Sequence, residues 1–243
     1  MSILVKQVSS MEKVRLNDNF DNLKVINSKR VFKGERFSYQ ITARSEETDS
    51  SYSAWLDSPL KDYIKIYTVK NSVMDFPTYV KWAEDDYISK EPGLMPDMLM
   101  PIEDSGNMIK IPRFYNISLW ICVDVPENIN PGNYDINIKL TDIERTFRTP
   151  KEYEDEPFTI AETMHIEIVD KVLPAPGIKV TQWFHTDCIA SAHNVKIYSK
   201  KHSELIDKYI QAAVYIGINM ILMPLISPPL DTAFKTSRPN VQL

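Results

Sequence analysis

A chain of 243 residues with 43% hydrophobic and 25% charged residues can bury one large core or two ordinary ones, and its composition excludes a disordered protein. Its net charge of −5 excludes the basic face that nucleic acid or an anionic membrane requires of a main partner. A neutral, polar substrate suits it better.

Cys122 and Cys188 are its two cysteines, far apart in the chain and outside any CxxC pattern. They predict buried free thiols rather than a disulfide framework or a metal-thiolate site. The apolar start of the chain stops at Val5, short of the roughly 7–15 apolar residues of a secretory leader. No stretch approaches the ~20 apolar residues of a membrane span, so the expectation is a cytoplasmic protein with no membrane partner.

Period-2 patterns dominate the first part of the chain. Phe37, Tyr39, Ile41 and Ala43 alternate with polar residues, as do Tyr134, Ile136, Ile138 and Leu140, and Met164, Ile166 and Ile168. Between 117 and 125 the odd positions are Ile117, Leu119, Ile121, Val123 and Val125. One apolar face per strand predicts antiparallel sheets with one wet side. The turn-forming run from Pro126 to Asn133 reads as a loop joining neighbouring antiparallel strands. Val73 to Pro101, broken by prolines, reads as a long loop with one helical turn around Tyr79–Asp85. Glu46–Asp49 and Glu152–Glu156 read as solvated acidic loops. Short strands without helical periodicity predict a β-sandwich over residues 1–173.

The pattern changes at Pro174-Ala175-Pro176-Gly177, which predicts a domain boundary. Ile178–Phe184 reads as a buried strand, followed by a long loop. Ser203 then reads as the N-cap of a helix whose Leu205, Ile206, Tyr209, Ile210, Ala213 and Ile216 recur at helical spacing. Gly217 fits the left-handed stop, and Met220–Leu225 is a second buried strand. Strand, helix and strand make one βαβ crossover with parallel strands. One crossover leaves a sheet open, so the expectation is an incomplete barrel over 174–243 whose exposed edge would let copies associate.

Three groups of residues could carry chemistry. Trp183, His185 and Asp187 stand at the end of the first parallel strand, where α/β folds bind substrates. Trp183 offers an apolar face to a sugar ring, and His185 and Asp187 offer hydrogen bonds to hydroxyls. The competing assignment is barrel packing for Trp183 and loop capping for the other two. Asp231, just beyond the second strand, is either a hydroxyl acceptor on the same rim or a turn former. A metal site built from His185, Asp187, Cys188 and His193 matches no standard spacing, and no cofactor motif is present. Asp155-Glu156 has the residue types of a glycosidase pair but reads as a solvated loop. Asn116-Ile117-Ser118 matches a glycosylation sequon at the start of a strand and is discounted.

The run Trp183-Phe184-His185-Thr186-Asp187-Cys188, the segment Gly217-Ile218-Asn219-Met220, and Pro228-Pro229-Leu230-Asp231-Thr232 with Arg238-Pro239 together resemble glycoside hydrolase family 123 and its bacterial relatives. Pro92-Gly93-Leu94-Met95-Pro96-Asp97 and Pro131-Gly132-Asn133-Tyr134 add weaker likeness in the sandwich. The resemblance implies an N-terminal sandwich followed by a (β/α)8 barrel. It also implies retaining hydrolysis of β-N-acetylgalactosaminides, in which the substrate's own acetamido oxygen attacks the anomeric carbon. In that family an Asp orients the acetamido group and an adjacent Glu protonates the leaving oxygen, on a later barrel strand. No position here matches that pair, so no catalytic residue is assigned and the chain by itself is expected to be inactive. Two other readings compete: a non-catalytic carbohydrate-binding or scaffold module, and a related barrel protein with different chemistry.

Overall fold

A computed structural model describes residues 3–75, 91–143, 159–175 and 177–222. The chain divides into two compact units, Met1–Leu173 and Pro174–Leu243. Among the described residues no helix is long and apolar enough to cross a membrane.

The first unit is two five-stranded sheets packed face to face. One sheet runs β1 (Ile3–Ser9), β3 (Arg36–Ser45), β8 (Asn116–Asp124), β5 (Ile64–Met74) and β6 (Gly93–Pro101). The other runs β2 (Ser28–Lys33), β10 (Thr159–Val172), β9 (Gly132–Asp142), β4 (Ser50–Asp57) and β7 (Met108–Ile111). The alternating residues of β3, β8, β9 and β10 meet between the sheets in one core that includes Tyr39, Ile41, Leu119, Ile121, Ile136, Ile138, Met164 and Ile166. The fold is mainly β, as the period-2 patterns predict.

Four expectations are corrected. The Pro126–Asn133 loop does not join neighbours, because β8 and β9 lie in different sheets and the loop crosses between them. The sandwich is not wholly antiparallel, since β2 pairs in parallel with β10. A short turn with positive φ at Gly34 (+77°) carries the chain from β2 straight into the opposite sheet, so hairpin pairing does not apply there. Gly93–Pro101 is a strand rather than a loop. It lies at a sheet edge, where proline need not donate to a ladder, and its register slips at Lys70/Asn71 opposite Pro96. The expected helical turn at 79–85 and the acidic run 152–156, Asp155-Glu156 included, lie outside the described residues.

The fourth correction concerns the wet side. The outer face of the first sheet is covered by the segment that follows β1. Val8, Val14, Phe20 and Leu23 form a second apolar cluster there. Gln40 Nε2 donates to the carbonyls of Ser9 and Glu12 (3.1 and 2.9 Å). Asn116 Nδ2 donates to those of Arg15 and Asp18 (both 2.9 Å). The sequon asparagine is therefore buried structure. Glu46–Asp49 is exposed, as its acidity predicts.

Glu162 shares the inward parity of Met164 and Ile166 on β10 and is half-buried. Burial pushes its carboxyl above the ordinary value of 4.5. A raised carboxyl favours the folded state at low pH, and that advantage is lost as pH rises through the folded-state value. Glu162→Gln is therefore expected to raise Tm at about pH 7 and leave it nearly unchanged at about pH 4. Thermal unfolding of both proteins at the two pH values checks this.

The second unit has β11 (Thr181–Trp183) and β12 (Met220–Leu222) paired in parallel, with α1 (Thr186–Ala192) and α2 (Lys200–Tyr215) between them. The expected long loop thus contains a short helix. α2 begins a turn earlier than Ser203 predicts. Ser199 is the cap, and its Oγ accepts the His202 N–H at 3.2 Å. Gly217 ends α2 at φ +94°, with Ile218 N–H reaching Ala213 O and Gly217 N–H reaching Val214 O, each 3.0 Å. Asn219 then ties this turn to the first strand. It accepts from Val180 N–H (2.9 Å) and donates to Ile178 O (3.0 Å). Neither strand is buried as expected: Ile178, Val180, Met220 and Leu222 are exposed, and β11 is exposed at all three of its positions. Of the two free cysteines Cys122 is buried, but Cys188 is exposed on α1.

Candidate functional site

The C-terminal ends of β11 and β12 lie side by side, with Trp183 paired to Leu222 and Phe184 N–H donating to Leu222 O at 3.0 Å. Beyond β11 the chain stays extended for two residues before α1 begins. Trp183 and His185 therefore project to one side, and their rings stack with centroids 6.0 Å apart and planes 10° apart. Trp183 is 56% exposed. The exposed indole is thus stacked on the His185 ring at the strand end. His185 occupies the N-cap position of α1 and makes no side-chain hydrogen bond to that helix's first turn.

Asp187 follows in the first turn of α1 and is only 6% exposed. Its Oδ1 has no hydrogen-bond partner among the described residues. A buried carboxylate oxygen without a donor is rare, because each such group costs free energy. Asp231 lies outside the described residues.

The arrangement depends on a residue that the motif search missed. His202 on α2 is 3% exposed; its Nδ1 accepts the Tyr198 N–H (3.2 Å) and its Nε2 pairs with Thr186 O (2.8 Å). A carbonyl can only accept, so the ring is the Nε2–H tautomer and ties α2 to the start of α1. The Ser199–His202 spacing, cap to third helical residue, was the available signal. His193 Nε2 meets Tyr209 OH at 3.0 Å with the rings edge to face. Among the described residues no three His, Cys, Asp or Glu side chains gather as metal ligands.

Residues 183–243 match the glycoside hydrolase 123 catalytic domain, starting at the tryptophan of this ring pair. The chain is related to glycoside hydrolase family 123. A family 123 glycoside hydrolase from Clostridium perfringens, studied for glycolipid glycan hydrolysis, superposes with a TM-score of 0.68 at 16% identity. The likeness covers 90% of this chain and 38% of that one, so the chain spans about two fifths of the enzyme's length. A membrane-anchored protein from Corynebacterium diphtheriae reaches a TM-score of only 0.35 at 11% identity, over 72% of this chain and 37% of that one. That likeness is too slight to bear on fold or function. No curated protein matches the chain. The family match covers residues 183–243, and the fold likeness covers 90% of the chain.

Proposed function

We infer that the chain is the N-terminal portion of a family 123 glycosidase, with residues 174–243 opening its (β/α)8 barrel. The observation that carries this reading is the catalytic-domain match beginning on the Trp183–His185 ring pair. In this reading the ring pair packs against the C–H face of a sugar. Asp187 accepts from a sugar hydroxyl, which supplies the donor its buried Oδ1 otherwise lacks. Asp231, later in the chain than β12, is the further hydroxyl acceptor in this reading. The reaction is retaining hydrolysis of a β-N-acetylgalactosaminide, in which the substrate acetamido oxygen forms the bond to the anomeric carbon as the glycosidic C–O bond breaks. The acid and the acetamido-orienting carboxylate come from later barrel strands, and no residue of this chain takes either role.

The test is hydrolysis of an aryl β-N-acetylgalactosaminide. The 243-residue chain alone is expected to show no turnover, because a missing general acid removes about 10²–10⁴-fold in rate. An enzyme in which a complete barrel follows the same residues is expected to turn over. In that enzyme Asp187→Ala should lower kcat/KM by about 10–100-fold, the effect of stranding hydroxyl contacts in a buried site. Full activity of Asp187→Ala, or of the isolated chain, would refute the reading.

A further inference from the structure

Trp55 stands on β4 with 59% of its surface exposed, on the face of the second sheet that points away from the sandwich core. Its indole N–H donates to Ser53 Oγ at 3.0 Å, which holds the ring in place on the sheet. Lys139 on β9 is its direct cross-strand partner, followed by Asp57 opposite Asn137. The same face continues onto β10 and β2 with Thr163, His165, Glu167 and Arg30.

The charges on this face are matched in pairs. Lys139 lies 3.5 Å from Asp57, Arg30 Nε donates to Glu167 at 2.8 Å, and His165 Nδ1 meets Asp135 at 2.7 Å. Lys139 and Arg30 each stand beside an anion of their own, so neither is an unpaired cation that would recruit a polyanion. Thr163 Oγ1 donates to Asn137 Oδ1 at 2.7 Å, which leaves the amide N–H groups of Asn137 as donors. A groove of about 560 Å³ is lined by Ser28, Arg30, Asn133, Asp135, His165 and Glu167. Asp135 lies four positions along β9 from the partner of Trp55, which puts the groove roughly 13 Å from the indole along the strand direction. Face and groove together form a track with an anchored aromatic ring at one end and planar polar side chains along the rest.

We propose that this face, from Trp55 to the His165–Asp135 groove, binds an uncharged oligosaccharide chain. The indole packs against the C–H face of one sugar ring, as a rigid aromatic whose contact costs little side-chain entropy. Asn137, Asp135, His165 and Arg30 hydrogen-bond the hydroxyls of the following rings. The face belongs to the sandwich and uses none of the residues at the ends of β11 and β12, so it would hold a glycan chain whatever the barrel does.

Native gel electrophoresis of the 243-residue chain tests this, with hydroxyethylcellulose, galactomannan or glycol chitin cast in the gel and heparin as the charged control. Retardation is expected in at least one uncharged gel and not with heparin. Trp55→Ala should weaken it at least about ten-fold, the loss typical of a dominant aromatic contact. Trp55→Phe should retain most of it, and Trp183→Ala all of it. An unchanged Tm in Trp55→Ala separates lost binding from lost fold, and the Phe variant serves the same end should the Ala variant not fold. Unaltered mobility in all three uncharged gels, retardation by heparin alone, or retardation that Trp55→Ala keeps would overturn the proposal. Retardation lost in Trp183→Ala instead would assign the sugar to the second unit, a result that also leaves the glycosidase reading standing.

Discussion

Replacing Ile121 with alanine is expected to destabilise the first unit by about 2–5 kcal/mol, the cost of a buried cavity that its neighbours cannot close. Ile121 is fully buried at the middle of β8, the central strand of its sheet. It pairs with Tyr39 on one side and Ile66 on the other, both of them core residues. Both flanking strands are held in register by backbone ladders, so neither can move in to fill the space. In a protein of this size such a loss lowers Tm by about 4–20 °C. Met98→Ala on the edge strand β6, where the side chain is 49% exposed, should stay within about 0.5 kcal/mol. Denaturant unfolding followed by circular dichroism measures both. Similar losses at the two positions would mean that the core does not lie between the sheets.

His202→Ala is expected to loosen the site end of the second unit without touching the sandwich. The imidazole serves two backbone groups, the Tyr198 N–H and the Thr186 carbonyl, and the second bond is buried. Removing the ring takes one partner from the Tyr198 N–H and one from the Thr186 carbonyl, and leaves a cavity at a position that is 3% exposed. Tyr198 also sits at φ +62°, a left-handed conformation that a side chain tolerates only when its surroundings hold it. The combined cost of the lost hydrogen bonds and the cavity is about 2–4 kcal/mol. At 1.36 kcal/mol per decade, amide exchange in α1 and the Tyr198 turn should speed up by about 30-fold or more. Amides of β8 and β9 should exchange at unchanged rates. If α1 kept its protection, the position of Asp187 would have to rest on something other than His202.

The sequence by itself determined the features set by consecutive residues. The alternation of Phe37 to Ala43 and of Met164 to Ile168 defines which face of each strand is buried, because successive side chains point to opposite sides. Gly217 ends α2 because its φ of +94° suits a residue without Cβ. The parallel pairing of β11 with β12 follows from the helix between them, since a crossover that long returns the chain in the same direction. Trp183, His185 and Asp187 were legible as a group at a strand end. Their division into a stacked exposed pair and a buried carboxylate was not, because burial depends on what α2 brings over α1.

Only the tertiary structure decided which strands are neighbours. β8 and β9 follow each other through a turn-rich loop, yet they lie in different sheets. β2 pairs in parallel with a strand more than a hundred residues later. Gly93–Pro101 becomes a strand despite Pro96, because an edge position asks for hydrogen bonds on one side only. Trp55, three residues after the buried Tyr52, became a candidate binding residue only when β9, β10 and β2 set polar side chains beside it. Pairing joins residues distant in the chain, and its free energy comes from burying both sheet faces at once, which no local pattern encodes.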